Sequence, residues 1–324
     1  MLNDKVILIT GGTGSFGQKF TEVMLDKYSP KVLRIFSRDE LKQYEMEMKF
    51  NNDPRLRFFI GDIRDKERLA RAMNGVNIVV HAAALKQVPL CEYNPFEAVK
   101  TNIIGTQNVI NTAIDNNVKK VIAISTDKAV NPVNVYGATK MCMEKIVVAS
   151  NSYVGSKNKT YLSCVRYGNV VGSRGSVILL FRNQKSSGTL TITDEKMTRF
   201  WITLDQGVEL VIKCIEKMKG GEIFVPKIPS MKIVDLKNVI APGCKFRYIS
   251  VRPGEKIHEI LITEEEAKRT VEYDNFFVIK PVQPWWSSSN WKEGKNLPEG
   301  FRYTSDNNPD WLTEEQLKKM VEDL

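Results

Sequence analysis

The feature of this chain that most constrains its fold is a glycine-rich turn that joins a predicted strand to a predicted helix near the N-terminus. The strand is the apolar run Lys5 to Thr10, and glycines recur at Gly11, Gly14 and Gly17 before a helical stretch that continues through Lys27. Glycines at this spacing allow a tight turn, a close approach of the backbone to a pyrophosphate, and close packing of the helix on the strand. Because the turn lies between a strand and a helix, it indicates a sheet that binds a dinucleotide.

Strands and helices alternate through the first half of the chain. Further short apolar runs end at Ser37, Ile60, Ala84, Thr126 and Asn169, with helical patterns between them. Such alternation is typical of a parallel sheet that carries helices on both faces. The sequence therefore predicts an α/β fold, a doubly wound parallel (Rossmann) sheet with a smaller, interleaved C-terminal α/β substrate domain.

The pattern changes beyond Gly172, where short strands mix with helices and basic residues interrupt the turns. We expect a dinucleotide-binding domain over residues 1–172 and a substrate-binding domain over residues 173–324, with the segment at about 204–226 returning to the sheet. No Gly/Ser linker separates the two parts. A ligand held between them is therefore the expected geometry.

The end of the second strand bears on the choice of dinucleotide. About 20 residues past the glycine turn, an NAD-preferring site carries Asp or Glu for the ribose hydroxyls. Here Ser37 and Arg38 occupy that place, with Lys42 one helical turn further on. A hydroxyl and two cations favour a 2′-phosphate, and hence NADP. The alternative is that Arg38 and Lys42 only pair with the acidic residues beside them on an exposed helix.

Other parts of the predicted cofactor site follow the strands. Asp62 is placed to accept from an adenine amine, although turn formation explains an aspartate there equally well. Small residues after His81 let a cofactor pass close to the backbone. The predicted cofactor site comprises Gly11, Thr13, Gly14, Ser15, Phe16, Gly17, Ser37, Arg38, Lys42, Asp62, Ile63, Ala82, Ala83, Lys86, Asn102, Tyr136 and Lys140.

The stretch from Ser125 to Lys140, STDKAVNPVNVYGATK, holds the groups for proton transfer. It follows a strand and begins a helix, and ligands bind at that end of a parallel sheet. On a helix, Tyr136 and Lys140 share one face, so that the ammonium lowers the pKa of the phenol and makes it a base. Two alternatives without a catalytic role stay open: a solvated Tyr-Lys pair, and a surface salt bridge for Asp127 and Lys128.

Composition limits the partners. The net charge is +9, which suits an acidic small substrate as well as nucleic acid, but the basic residues are dispersed and no nucleic-acid motif occurs. We therefore expect no nucleic-acid partner. We also expect no membrane association, since no long apolar span is present, and a cytoplasmic location, since the five cysteines are scattered. With two histidines in the chain, no metal site is expected.

Several ordered motifs together resemble the extended short-chain dehydrogenase/reductase superfamily. They are TGGTGSFG, SRDELKQ, RFFIGDIRD, HAAALKQVP, STDKAVNP, YGATK, VRYGNVVGSRGS, MTRFWIT, GGEIFVPKIPSMK and RPGEKIHE. Within that superfamily, STDKA, RYGNVVGSRGS and RPGEKIHE are similar to the inverting UDP-N-acetylglucosamine 4,6-dehydratases. Those enzymes begin pseudaminic acid synthesis, which serves flagellin glycosylation. The resemblance covers nearly the whole chain.

The resemblance implies a lyase reaction with bound NADP. Tyr136, held by Lys140, takes the proton of the sugar 4-hydroxyl while hydride passes to NADP, and Thr126 holds that hydroxyl. Water is then eliminated across carbons 5 and 6 by Asp127 and Lys128, with inversion at carbon 5, and hydride returns to carbon 6. We assign the carbon 5 base to Lys128, which requires a neutral amine and hence a lowered pKa. The acid and base roles of this pair stay open to exchange.

The resemblance also implies contacts with the substrate and with a second copy of the chain. It places the UDP-sugar against Lys86, Asn169, Arg174, Thr193, Arg199, Arg252 and Glu255. It implies a homo-oligomer through the helices at 96–116 and 136–153. The nearest alternative function is a UDP-sugar 4-epimerase, which needs no elimination acid and base. Non-enzymatic alternatives are a dinucleotide-sensing regulator and a sugar nucleotide binding subunit.

Overall fold

Strands and helices alternate along the chain in a computed structural model, which describes residues 1–154, 160–172, 177–251, 253–283, 286 and 289–322. The strands are β1 (Val6–Thr10), β2 (Val32–Ser37), β3 (Leu56–Ile60), β4 (Ile78–His81), β5 (Lys120–Thr126), β6 (Tyr161–Tyr167), β7 (Asn169–Val170), β8 (Thr189–Ile192), β9 (Thr198–Ile202), β10 (Ile223–Pro226), β11 (Ser230–Lys232), β12 (Lys245–Tyr248), β13 (Ile260–Ile262), β14 (Thr270–Glu272), β15 (Phe276–Ile279), β16 (Lys295–Asn296) and β17 (Tyr303–Thr304).

The helices cover the sheet and build the second half of the chain. They are α1 (Ser15–Lys27), α2 (Glu40–Lys49), α3 (Lys66–Met73), α4 (Val88–Tyr93), α5 (Pro95–Val99), α6 (Gly105–Asp115), α7 (Val135–Ala149), α8 (Val177–Gln184), α9 (Leu204–Lys217), α10 (Asp235–Ile240), α11 (Glu264–Ala267) and α12 (Glu314–Glu322). In the part of the chain that the structure describes, each helix is too short or too polar to cross a lipid bilayer.

The main sheet combines parallel and antiparallel strands. Within the described ranges it has ten strands in the order β16-β14-β15-β10-β6-β5-β4-β1-β2-β3. The seven strands β10, β6, β5, β4, β1, β2 and β3 run parallel to one another. Beyond β10, the strands β15, β14 and β16 extend the sheet as antiparallel strands. The order 3-2-1-4-5-6 reverses direction between β1 and β4, which is where such sheets bind ligands. The predicted doubly wound sheet is therefore confirmed.

The core explains why the parallel strands are apolar throughout. Ile7, Leu8 and Ile9 of β1 are fully buried, as is the whole of β4, because helices cover both faces of the sheet. The helix α1 turns Phe20 and Met24 towards this core. Burying apolar side chains stabilises the fold by about 25 cal/mol per Å² removed from water.

A second hydrophobic cluster lies beside the main one. It is formed by residues between Val171 and Val321, among them Ile178, Phe181 and Trp201. Two small sheets support it, one in the order β11-β9-β7 and one that pairs β12 with β8. Only the segment near 204–226 was expected to return to the main sheet, but β14, β15 and β16 also join it. The division of the chain at residue 172 stays a prediction.

Two boundaries differ from those predicted from the sequence. The helix predicted over 96–116 is interrupted by a π-helical turn at Lys100–Ile104, so it forms α5 and α6. The strand predicted to end at Asn169 leaves the main sheet at Tyr167, and Asn169 pairs with Trp201 in a smaller sheet. Neither change follows from local hydrophobic pattern, because both depend on contacts with distant parts of the chain.

Candidate active site

A large cavity opens at the carboxyl ends of the parallel strands. Its volume is about 1060 Å³, and its wall runs from the turn after β1, past the ends of β4 and β5, to the segment before β13. One end of the wall is made by the glycine turn and the other by the second hydrophobic cluster. The cavity therefore joins the two halves of the chain at the position where open α/β sheets bind ligands.

The glycine turn packs too closely on its surroundings to carry side chains at two of its positions. Gly11 has φ +68°, and a Cβ there would lie 2.9 Å from the backbone of Ala83. A Cβ on Gly17 would lie 2.3 Å from the carbonyl of Gly12, so this glycine allows α1 to pack against the turn. Helix α1 begins after Gly14, which has no side chain to cap the N-terminus of the helix. Free backbone N–H groups at a helix N-terminus bind phosphate.

The end of β2 carries the residues predicted to select the dinucleotide. The Ser37 hydroxyl accepts a 3.0 Å hydrogen bond from Gln43, which fixes it beside the cavity. Lys42 forms an ion pair with Asp39, the helix N-cap. Arg38 is 57% exposed and its guanidinium lies 3.7 Å from Asp62, so this weak surface pair leaves it accessible to a ligand.

The structure brings most of the predicted residues to one wall. The cavity is lined by the predicted Gly11, Thr13, Gly14, Ser15, Phe16, Ser37, Arg38, Lys42, Asp62, Ile63, Ala82, Ala83, Lys86, Thr126, Lys128, Tyr136, Lys140, Asn169, Thr193, Arg199 and Glu255. Arg174 and Arg252 lie outside the residues that the structure describes. Gly17, Asn102 and Asp127 are placed behind the wall.

Asn102 has a supporting position in this structure. Its amide accepts from the backbone N–H of Leu85 and donates to the carbonyl of Leu85 and to the hydroxyl of Thr139. It is 1% exposed and lies in the π-helical turn. Asn102 therefore links the strand β4 loop to helix α7 and does not face the cavity, contrary to the predicted cofactor contact.

A short turn places the proton-transfer groups. Strand β5 ends at Thr126, and Asp127–Ala129 form a 3₁₀ turn. Helix α7 then begins with Asn134 as its N-cap, since its side chain accepts from the N–H of Gly137. The start of α7 packs so closely on the turn that a Cβ at Gly137 would lie 2.1 Å from the carbonyl oxygen of Lys128. This contact brings Tyr136 beside the end of β5.

Asp127 and Lys128 form an ion pair in which Asp127 is buried and Lys128 lines the cavity. Lys128 Nζ lies 3.1 Å from Asp127 Oδ1, which also accepts a 2.9 Å hydrogen bond from Thr126. Asp127 is fully buried, and its Oδ2 has no hydrogen-bond partner among the described residues. Burial raises the pKa of Asp127, although the attraction of Lys128 opposes it. The arrangement differs from the surface salt bridge that was the alternative without a catalytic role for this pair.

Lys128 does not have the lowered pKa that the sequence analysis expected. Burial acts to lower its pKa, but the negative charges of Asp127 and Glu259 outweigh burial and raise it. The two carboxylates therefore favour the ammonium form.

Tyr136 and Lys140 also differ from the expectation. Burial raises the pKa of Tyr136 to about 12, while Lys128 and a hydrogen bond to Thr126 act to lower it. Burial lowers the pKa of Lys140 to about 8. Its ammonium donates a 2.6 Å hydrogen bond to the carbonyl of Ile124. Lys128, and not Lys140, is therefore the cation that lowers the pKa of the phenol in this arrangement.

Sequence reasoning missed one charged group of the site. Glu259 lines the cavity at 2% exposure, with Oε1 3.5 Å from Lys128 Nζ and 3.7 Å from Arg199 Nε. It is the last residue of the motif RPGEKIHE, in which only Arg252 and Glu255 were selected. A second carboxylate four residues after Glu255 was visible in the sequence, but its meeting with Lys128 depends on the tertiary fold.

Substitution of Gly137 by alanine tests the contact that positions Tyr136. Alanine is intrinsically favoured over glycine in a helix by up to about 1 kcal/mol, but here its Cβ meets a backbone carbonyl. We expect Gly137→Ala to lower the free energy of unfolding by about 1–3 kcal/mol, the usual cost of overpacking, measured by denaturant titration.

Gly207→Ala is the matched control, because Gly207 lies inside α9 and, among the described residues outside its own helical turn, no heavy atom lies within 4 Å of its added Cβ. This variant should be as stable as the wild type or more so. If Gly137→Ala is as stable as Gly207→Ala, the contact does not constrain α7.

Known proteins provide the context for this site. A family model described as polysaccharide biosynthesis protein matches residues 7–281. A UDP-N-acetylglucosamine 4,6-dehydratase (inverting) of Campylobacter jejuni is 52% identical over 330 residues, covering 99% of this chain and 98% of the relative. A UDP-glucose 4-epimerase of Rickettsia rickettsii is 46% identical over 287 residues, covering 86% of this chain and 84% of the relative. The X-ray structure of Pen from Bacillus thuringiensis is 39% identical with a TM-score of 0.90, covering 100% of this chain and 99% of that one. This chain belongs to the polysaccharide biosynthesis protein family and, within it, to the group of the inverting UDP-N-acetylglucosamine 4,6-dehydratases.

Proposed function

We propose that this protein is a lyase that converts UDP-N-acetylglucosamine to a UDP-2-acetamido-2,6-dideoxy-4-keto-hexose with inversion at carbon 5. The observation that carries the proposal is the Asp127–Lys128 ion pair, in which Lys128 lines the same cavity as Thr126 and Tyr136 and Asp127 lies buried directly behind it. An oxidation site alone needs only the tyrosine, whereas loss of water also needs an acid and a base. The 52% identical relative, whose name is this activity, supports the same conclusion.

The residues at the glycine turn fit a nicotinamide dinucleotide. Gly14, the N-cap of α1, has no side chain to bond the first N–H groups of the helix, so these can bind a pyrophosphate. The buried Ser125 hydroxyl lines the same cavity without a partner among the described residues. A nicotinamide dinucleotide bound here would supply reversible acceptance of a hydride. We assign NADP in particular, with the 2′-phosphate on Ser37 and Arg38.

Tyr136 is proposed to take the proton of the sugar 4-hydroxyl. Its pKa of about 12 in this arrangement means that the phenol holds its own proton at neutral pH. Proton acceptance therefore requires further positive charge near the phenol or a partner that removes its proton. Lys140, with a pKa near 8, is mainly an ammonium at neutral pH, so it contributes positive charge on this side of the cavity. The Thr126 side chain hydrogen-bonds with the Tyr136 phenol, so it lies where it can also orient the sugar 4-hydroxyl.

Elimination uses Asp127 as the acid and Lys128 as the base. A proton transfer from Lys128 Nζ to Asp127 Oδ1, over 3.1 Å, produces a neutral amine and a carboxylic acid together. The amine then takes the proton from carbon 5, and the acid protonates the leaving 6-hydroxyl as water, which leaves a double bond between carbons 5 and 6. Exclusion of water by the bound sugar favours the neutral pair, because burial penalises an ion pair.

The other end of the cavity is proposed to hold the uridine diphosphate. Asn169, Thr193, Arg199 and Glu255 line it, and the side-chain Oδ1 of Asn169 is buried without a partner among the described residues. Arg199 supplies a positive charge for the diphosphate. Lys86 lines the same cavity, and it is assigned to both the cofactor site and the substrate site. The roles of Arg174 and Arg252 rest on the resemblance alone, as do a place in pseudaminic acid synthesis for flagellin glycosylation and a cytoplasmic location.

Incubation with UDP-N-acetylglucosamine in deuterated water, followed by proton NMR, tests the proposed reaction. We expect a new 6-methyl signal, deuterium at carbon 5, and couplings that show inversion there. Asp127→Asn should lower the rate of product formation by about 10²-fold or more, since it removes the acid.

The rival functions give other outcomes. A product epimeric at carbon 4 with an intact 6-hydroxyl, formed equally well by Asp127→Asn, would establish the 4-epimerase. Binding of the sugar nucleotide without any change in its NMR spectrum, with NADP supplied, would favour the binding or sensing alternatives. Glu209→Gln, which breaks an exposed ion pair with Lys27, is a control variant that should react as the wild type does.

Replacement of Arg38 tests the choice of NADP. A charge-assisted hydrogen bond contributes about 1.5–3 kcal/mol, so Arg38→Ala should weaken NADP binding by about 10- to 100-fold and leave NAD binding nearly unchanged. Titration calorimetry on nucleotide-free protein measures both. Arg71→Ala, an exposed arginine on α3, is the control. Equal affinity of the wild type for NAD and NADP would contradict the assignment.

We also propose that the protein is a homo-oligomer. Leu90, Tyr93, Phe96 and Ile104 lie exposed on successive helices that pack against α7, and Tyr93 is 85% exposed. When exposed apolar side chains of this size lie together, they mark interaction surfaces. Sedimentation velocity should show an oligomer for the wild type and a shift to monomer for Phe96→Glu. A monomeric wild type at micromolar concentration would rule the proposal out.

A further inference from the structure

Glu259 is a buried carboxylate to which the proposed reaction gives no role. It precedes β13, and its backbone is fixed, since its N–H donates to the Ser305 hydroxyl and its carbonyl accepts from the Ser305 N–H. Its Oε1 faces Lys128 and Arg199, while Oε2 is buried without a partner among the described residues. A buried carboxylate with an unused oxygen is costly to stability, and such groups concentrate at functional sites.

The charged groups around Glu259 come from three parts of the chain. Lys128 and Asp127 belong to the turn after β5, Arg199 to β9, and Lys256 to the segment before β13. Lys256 donates to the carbonyl of Val130. His258, next in sequence, is turned to the Thr198 hydroxyl. Lys128 therefore lies between two carboxylates, Asp127 at 3.1 Å and Glu259 at 3.5 Å.

We propose that Glu259 is a positioning residue that acts through Lys128: its carboxylate holds Nζ between two acidic groups and stabilises the ammonium that forms when the amine takes the carbon 5 proton. This inference rests on the proposed dehydratase function. The proton moves from carbon 5 to Nζ, and the electron pair of that bond becomes the new double bond as water leaves. Positive charge then grows on Nζ at a fixed distance from Glu259, and a fixed opposite charge stabilises such a transition state.

The electrostatics of the cluster agree with this geometry. The charge of Glu259 raises the pKa of Lys128, and it also raises the pKa of Asp127. Lys128, Arg199 and Lys256 in turn hold the pKa of Glu259 below its usual value despite burial. Glu259 therefore stays a carboxylate while its two neighbours bind protons more tightly. A stronger base at Lys128 and a protonated acid at Asp127 are both what elimination needs.

Glu259→Gln tests the inference, since it keeps the shape of the side chain and removes its charge. We expect elimination, measured as formation of the 6-methyl product, to slow by about 10²-fold. Oxidation at carbon 4 should change less than about threefold, so that reduced nicotinamide accumulates and its near-ultraviolet absorbance rises. The dissociation constant for UDP should change little, because Arg199 remains. Glu259→Asp, which keeps the charge but moves it from Nζ, should recover part of the lost rate.

The pH profile distinguishes positioning from a structural role. Removing a negative charge lowers the pKa of both Asp127 and Lys128, so both limbs of the profile of kcat should move to lower pH. Glu209→Gln, the same substitution in an exposed pair, should leave rate and profile unchanged.

Two results would overturn the inference. In the first, Glu259→Gln slows oxidation and elimination equally and leaves both limbs of the pH profile of kcat where they are in the wild type. In the second, Glu259→Gln eliminates water at the wild-type rate. If Glu259→Gln does not fold, the rates of oxidation and elimination are compared between Glu259→Asp and the wild type instead. If the wild type forms no dehydrated product at all, the proposed function itself has failed, and the role of Glu259 falls with it.

Discussion

The contact between the start of helix α7 and the carbonyl of Lys128 is the constraint on which the site depends. With hydrogen in place of a side chain at Gly137, the helix approaches the turn after β5 more closely than any other residue would allow. Tyr136 is thereby held beside Thr126, Asp127 and Lys128, although these residues come from different secondary-structure elements. Rate enhancement by proton transfer depends on such placement, since an error of about 1 Å costs on the order of 10²-fold.

Buried charges hold the elements around this contact. Arg166 on β6 pairs with Glu144 on α7 at 2.6 Å and with Glu266 on α11 at 2.9 Å, so it ties the helix of Tyr136 to the second half of the chain. Glu259 makes a similar connection to the turn that carries Lys128. Breaking a buried pair leaves an uncompensated charge, which costs about 3–5 kcal/mol. These connections therefore fix the two walls of the cavity relative to each other.

The electrostatics of the site corrected two expectations. Lys140 was expected to lower the pKa of Tyr136, but its ammonium donates to the backbone of β5 and burial raises that pKa instead. Lys128 was expected to have a lowered pKa, but it lies between two carboxylates that raise it. Both errors have one cause. A pKa depends on every charge within a few ångströms and on burial, and neither is visible from spacing along a helix.

The sequence by itself determined the parallel sheet, the glycine turn and the stretch from Ser125 to Lys140. These features are local, because the strand period, the glycine spacing and the four-residue separation of Tyr136 and Lys140 are properties of a single element. Only the tertiary structure decided that Asn102 supports Leu85 behind the wall, that Asn169 leaves the main sheet, and that Glu259 meets Lys128 across 131 residues of sequence. Those outcomes depend on which side chains the folded chain brings together. Hydrophobic period and motif spacing carry no information on such distant contacts, because they describe one segment at a time.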